Sequence, residues 1–221
     1  TILNNLKDAL KNMRMLDIGV GGGRTTYYFS SLVKEYIGID FSKNMVKICS
    51  ENYPERERRT FRICDVRSME MFEDNYFDFI LFSFNGIDNL SHDDRLTALR
   101  EIKRVCKNGG IFCFSTHNLQ SIDRLLKIDF SKNPIIMAKR IVKYFLLRIL
   151  NGKFEKLKKN NFAMIDSGLF QFGKRCFIDF NFKRYYINPK EQILQLNCMG
   201  FNNIKVYRLA DGKEVEDQFL L

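Results

Sequence analysis

Glycines at 19, 21, 22 and 23 follow an apolar run that closes on Asp17, and Asp40 closes the next apolar run. Glycine lacks a Cβ, so such a loop lets a ligand lie against bare peptide. The amides that open the following helix then face an anionic group on that ligand. An acid about 20 residues beyond a glycine loop is the spacing of a nucleotide-type site, and one carboxylate accepts two hydrogen bonds side by side. The loop alone fits a dinucleotide-binding oxidoreductase equally well. Histidine carries a second chemistry. The chain has two, and His117 closes an apolar run at a position where imidazole can take up a proton near neutrality. His92 directly follows Ser91 at a helix start and reads as a surface residue. Asn85 and Asn118 offer amides suited to holding an amine or a hydroxyl.

These groups need a scaffold that brings strand ends to one edge. Runs at 14–18, 36–40, 61–64, 77–84 and 111–116 read as strands, and 77–84 is continuous enough for a parallel strand buried on both faces. Helical patterns over 24–33, 42–52 and 91–106 alternate with them, with Ser42 and Ser91 at cap positions. Leu96, Leu99, Ile102, Val105 and Cys106 form one stripe of the third helix, which Asn108-Gly109-Gly110 ends. A short helix is expected over 3–11. A last helix opens at Asn188-Pro189-Lys190-Glu191 and runs to Gly200. Strands over 203–207 and 216–221 follow, joined by the turn Ala210-Asp211-Gly212-Lys213. The expected fold is α/β: a doubly wound, Rossmann-like seven-stranded sheet, mostly parallel with one antiparallel strand.

Composition narrows the class. The chain has 221 residues, 45% hydrophobic and 14% aromatic, enough to bury a sizeable core. It reads as one domain over 1–221. Its six cysteines are scattered, with no CxxC pair. That speaks against a zinc site or a disulfide framework, so no metal is expected, and a reducing, cytoplasmic setting is. The first residues lack the pattern of a signal peptide, and no apolar run approaches the roughly 18 residues of a membrane span.

The ordered motifs resemble the class I S-adenosylmethionine-dependent methyltransferases. They are LDIGVGGG at 16–23, GIDFSKNM at 38–45, RICDVRSM at 62–69, FDFILFSFNGID at 77–88 and LREIKRVCKNGGIFCFSTHN at 99–118. Two further acidic strand ends and the Lys-Asn-Gly-Gly turn separate this pattern from a bare dinucleotide fold. The resemblance implies S-adenosyl-L-methionine as cofactor and S-adenosyl-L-homocysteine as product. It implies that Gly19, Gly21 and Gly23 admit the methionyl part, while Asp17 orients the loop and the cofactor's amino group. Asp40 would take both ribose hydroxyls, Asp65 the adenine amino group with the Val66 amide beside it, and Phe41 and Met45 would pack on the adenosine. Ser83 and Asn85 would line the reaction centre. In-line displacement at a sulfonium methyl asks the protein to align a nucleophile and exclude water. An amine acceptor needs no base; a hydroxyl does, and His117 is the candidate, with Asn85 and Asn118 holding the acceptor.

The acceptor class rests on what departs from the minimal fold. Residues 121–182 are too many for a plain connection and are expected to build an inserted helical and β lid. Lys132 and Asn160 bound a stretch with nine basic residues against Glu155 alone, most of the chain's net charge of +10. Within it, 135–150 reads as an amphipathic helix, and 162–170 with 175–186 as a hairpin carrying an aromatic wall. Three readings of the basic stretch stay open: a solvated lid helix with its apolar side on the core, a site for a phosphate-bearing acceptor or RNA, and an interfacial helix on an anionic membrane. Ser83-Phe84-Asn85-Gly86 is not the Asn-Pro-Pro-Tyr type of motif that base-modifying enzymes use, and no Pro-Cys pair is present. A small-molecule acceptor methylated on N or O, a sugar or an amine, is therefore expected. An RNA or tRNA methyltransferase using the basic stretch is the second reading, and a non-catalytic cofactor-binding scaffold the third.

Overall fold

The computed structural model describes residues 6, 8–166 and 183–215, and the backbone of 170–172 and 175–177. The chain divides into two compact units, one of residues 1–87, 92–115 and 196–214, the other of 88–91, 116–195 and 215–221.

The first unit is built from β1 (Arg14–Ile18), α1 (Arg24–Phe29), β2 (Glu35–Asp40), α2 (Lys43–Asn52), β3 (Arg59–Ile63), β4 (Phe77–Phe82), α3 (His92–Val105) and β5 (Cys106–Phe114). The strands form one sheet in the order β3-β2-β1-β4-β5, with every pairing parallel. Strand order reverses at β1, which makes the carboxyl ends of β1 and β4 the switch point where doubly wound sheets take ligands. Met15, Leu16, Ile39, Phe79 and Ile80 are all fully buried, as the continuous apolar runs require. Ser42 caps α2 by accepting from the Met45 amide at 3.4 Å. Asp93 and Asp94 in the first turn of α3, with Lys103 and Arg104 in the last, complement its dipole. The expected turn at 108–110 is absorbed into β5. That strand begins at Cys106 and meets β4 with a register irregularity between Phe77 and Phe79, Gly109 standing at φ 78°.

The seven-stranded expectation needs correction. Among the described residues the main sheet has five strands, and 203–207 forms no strand. Asn203 lies at φ 55°, which breaks the pleat where pairing would start, and a single bridge joins Tyr207 to Glu214. The turn between them forms as read, with the Arg208 amide donating to the Lys213 carbonyl at 2.9 Å. The expected strand 216–221 and residues 3–5 and 7 of the expected helix 3–11 lie outside the described residues, while 6 and 8–10 are helical.

The second unit contains β6 (His117–Asn118), a 3-10 helix over Leu119–Leu126, α4 (Pro134–Asn151), α5 (Phe154–Leu157), β7 (Phe162–Asp166), β8 (Phe170–Phe172), β9 (Arg175–Phe177) and β10 (Lys183–Ile187). Its sheet runs β6-β10-β7, and β8 pairs with β9. Antiparallel β7–β10 and β8–β9 pairing makes the hairpin expected from the alternation. The unit has its own core of Leu119, Ile122, Phe154, Ala163, Ile165 and Tyr186. The expected 121–182 segment falls inside it. α6 (Pro189–Cys198) follows β10, and its cap Asn188 accepts from the Lys190 amide at 3.0 Å.

α4 differs from the first of its three readings. Asn133 caps it, accepting from the Ile135 and Ile136 amides at 3.0 and 3.3 Å, but of its residues only Leu147 is buried. Its apolar side is not packed on the core.

Candidate functional site

In the first unit, Asp40 organises the loop after β1. Its Oδ2 accepts from the Gly21 amide at 3.0 Å and its Oδ1 from the Ser42 amide at 2.9 Å, so one carboxylate ties the glycine loop to the start of α2. Gly21 sits at φ +53° with nothing within 4 Å of a would-be Cβ, so its backbone borders open space. Gly23, at φ +90°, is different: a Cβ there would come within 2.5 Å of the Tyr53 ring. Gly21 thus has the room for a ligand, and Gly23 serves packing.

Asp17, at the end of β1, is fully buried. Its Oδ2 accepts from the Tyr36 hydroxyl at 2.5 Å and from the Thr25 hydroxyl. Its Oδ1 has no hydrogen-bond partner among the described residues. Burial pushes its pKa from 3.8 up to about 6 against the lowering effect of the two hydroxyls. A buried acceptor left unsatisfied is costly, which suits this oxygen to a cationic donor.

The expected adenine and reaction-centre residues are placed as follows. Asp65 sits in a fork with Arg67, whose Nε and Nη2 donate at 3.0 and 2.6 Å, and Arg67 also holds Asp94 at 2.9 Å. Arg67 keeps the Asp65 carboxyl below its usual range, so an adenine amino group would share Asp65 with it. Val66 is buried, and Phe41 is 81% exposed. Met45, Ser83 and Asn85 are half-buried. At the end of β4, Phe84 and Asn85 lie at φ 54° and 57°. Consecutive left-handed residues other than glycine, one of them bulky, are strained. The Asn85 amide donates to the Ser115 hydroxyl at 2.8 Å, which helps hold that conformation. The Arg24 guanidinium stacks on Phe84 with 4.1 Å to the ring centroid, a pairing sequence reasoning missed because it joins the start of α1 to the loop after β4, 60 residues on.

The second unit places His117 against a partner that was also missed. His117 Nδ1 lies 2.7 Å from Asp88 Oδ2, and the His117 amide donates to the same oxygen at 2.7 Å. The Thr116 hydroxyl donates to Asp88 Oδ1 at 2.6 Å. Asp88 is fully buried. A carboxylate on Nδ1 fixes the tautomer, leaves Nε2 as the basic nitrogen and stabilises the imidazolium. The Tyr186 ring lies 4.7 Å from the imidazole, centroid to centroid, and burial pushes its phenol up to about 12. Asn118 caps the 3-10 helix, its Oδ1 accepting from the Gln120 amide at 2.8 Å. Asp88 carried only a weak sequence signal, an acid shortly after the fourth apolar run.

Comparison with known proteins bears on the fold and on the family this chain resembles. Residues 16–114 match the family described as "Methyltransferase domain". A demethylmenaquinone methyltransferase of Staphylococcus aureus is 38% identical over 111 residues, 48% of this chain and 44% of that protein. One from Geobacillus is 29% identical over 152 residues, 66% of this chain and 57% of that protein. The chain thus spans about half the length of these relatives. The crystal structure of an S-adenosylmethionine-dependent methyltransferase from Mesorhizobium loti matches with a TM-score of 0.60 at 13% identity, over 93% of this chain and 81% of that one. One from Methanosarcina mazei gives 0.59 at 15% identity, over 97% and 92%. At such identities these structures bear on the fold.

Proposed function

We propose that this chain, whose residues 16–114 match the methyltransferase-domain family, is a class I S-adenosylmethionine-dependent methyltransferase that methylates N or O of a small-molecule acceptor, with His117 as general base. The observation that carries this reading is the His117 Nδ1 to buried Asp88 contact of 2.7 Å. Asp88 follows β4 by six residues and His117 follows β5 by three in the chain. The relatives' names put a demethylated quinone beside a sugar or an amine as the acceptor class.

The residues of the first unit fit the cofactor. Asp17 Oδ1 is an unsatisfied buried acceptor suited to the ammonium of the methionyl part. The glycine loop at 19–23 is open at Gly21. Both Asp40 oxygens already take one amide each, and each keeps a lone pair for a ribose hydroxyl. Val66 and Asp65 would hold the adenine edge, while Phe41 and Met45 would cover its face. Bound there, S-adenosylmethionine supplies an electrophilic methyl group on sulfur and is left as S-adenosylhomocysteine. His117 takes the acceptor's proton on Nε2, and Asp88 stabilises the resulting imidazolium.

Calorimetry with S-adenosylhomocysteine tests the cofactor assignment: wild type binds and Asp40→Ala does not. Release of S-adenosylhomocysteine across panels of quinone, sugar and amine acceptors then identifies the class. On a hydroxyl acceptor, His117→Ala lowers kcat about 10²–10⁴-fold with cofactor affinity retained. Unchanged turnover in that variant sinks the base assignment, and cofactor binding without turnover on any acceptor favours the scaffold reading.

A further inference from the structure

We propose that α4 docks in the surface layer of an anionic membrane. At about 100° per residue, Ile135, Ile141, Val142, Phe145 and Ile149 fall in one arc of about 120° that contains no charge. Ile135, Val142, Phe145 and Ile149 are exposed by 66%, 52%, 58% and 76%. The opposite side faces the protein. There Leu147 is buried, and the Asn151 side chain donates to the Asp166 carbonyl at 2.9 Å while accepting from its amide at 2.8 Å. A helix packed on a water-soluble surface turns its apolar stripe inward; this one is held with that stripe outward. An exposed apolar surface of this kind marks an interaction site.

Charge selects the occupant. Lys139 and Lys143 flank the arc on one side and Arg148 on the other, in a stretch over 132–160 with nine basic residues and one acidic. Apolar side chains entering the acyl boundary, with cations level with the headgroups, is the arrangement of an in-plane helix on anionic lipid. A second copy would bring the same positive charge against itself. RNA would find aliphatic side chains where it needs stacking or phosphate contacts. No helix among the described residues is long and apolar enough to cross a membrane, so the contact is peripheral. The inference is independent of the methyl-transfer reading.

The test is co-sedimentation of the full chain with vesicles of phosphatidylcholine and phosphatidylglycerol at 3:1, against pure phosphatidylcholine. Wild type partitions to the anionic vesicles at least about tenfold more strongly. Lys139→Gln with Lys143→Gln weakens binding by about tenfold or more, near fivefold per cation. Phe145→Ser with Ile149→Ser, at exposed positions that leave the core intact, abolishes it. Three results would overturn the proposal: folded wild type that ignores anionic vesicles, equal binding to pure phosphatidylcholine, or a dimer in light scattering that the Phe145 and Ile149 changes dissociate. Salt-sensitive RNA binding that the same apolar changes remove would overturn it too.

Discussion

Asp17 is held by two hydroxyls on one oxygen and, among the described residues, by none on the other. Its carboxyl titrates near pH 6 because it is buried, and an ammonium against Oδ1 requires the ionised form. Affinity for S-adenosylhomocysteine therefore falls about tenfold per pH unit below about pH 6 and is level above it, measurable by calorimetry over a pH series. Stability runs the other way. A folded-state pKa raised from 3.8 to about 6 contributes stability that is complete below the unfolded value and lost as pH rises through about 6. The ionised form then carries a penalty of order 3 kcal/mol. Asp17→Asn should stabilise the fold by about 1–3 kcal/mol at pH 7.5 and by about half as much at pH 5, while abolishing cofactor binding; urea unfolding at the two pH values reads the difference. At Asp88 the effect is on positioning. Asp88→Asn reverses the hydrogen bond to Nδ1, presents the wrong tautomer and lowers kcat about 10²–10⁴-fold, with cofactor affinity unchanged.

At the scale of elements, the glycine loop separates two uses of one residue type. Gly23→Ala meets both a left-handed φ and the Tyr53 ring at 2.5 Å, and should cost more than about 2 kcal/mol. Gly21→Ala meets the φ penalty alone and should cost about 1–2 kcal/mol while blocking ligand approach. Thermal unfolding and calorimetry on the pair distinguish packing loss from binding loss. The strand ends were legible in the sequence because parallel strands buried on both faces read as unbroken apolar runs, and Ser42 was legible because caps obey local chemistry. The strand at 203–207 was misread. Ile204 and Val206 are half-buried and alternate with exposed Lys205 and Tyr207, yet a left-handed Asn203 prevents the ladder, and alternation does not reveal pairing. The outward stripe of α4 was hidden for a related reason: periodicity identifies an apolar face but not what it faces.

For the whole molecule, two cores predict two patterns of protection. Hydrogen exchange should be slowest at β1 and β4, whose amides lie inside the five-stranded sheet among fully buried side chains. It should be fastest along α4, where one side chain is buried; uniform protection across both would contradict this division. The sequence by itself determined the alternation of strands and helices, the glycine loop with Asp17 and Asp40, and the resemblance to the methyltransferase-domain family, because these depend on local periodicity and short spacings. Tertiary structure alone decided three things: that Asp88 holds His117 across 29 residues, that residues 116–195 form most of a second unit with its own core, and that the cationic helix keeps its apolar side outward. Each depends on pairs distant in the chain, whose meeting is set by packing of whole elements rather than by any local pattern.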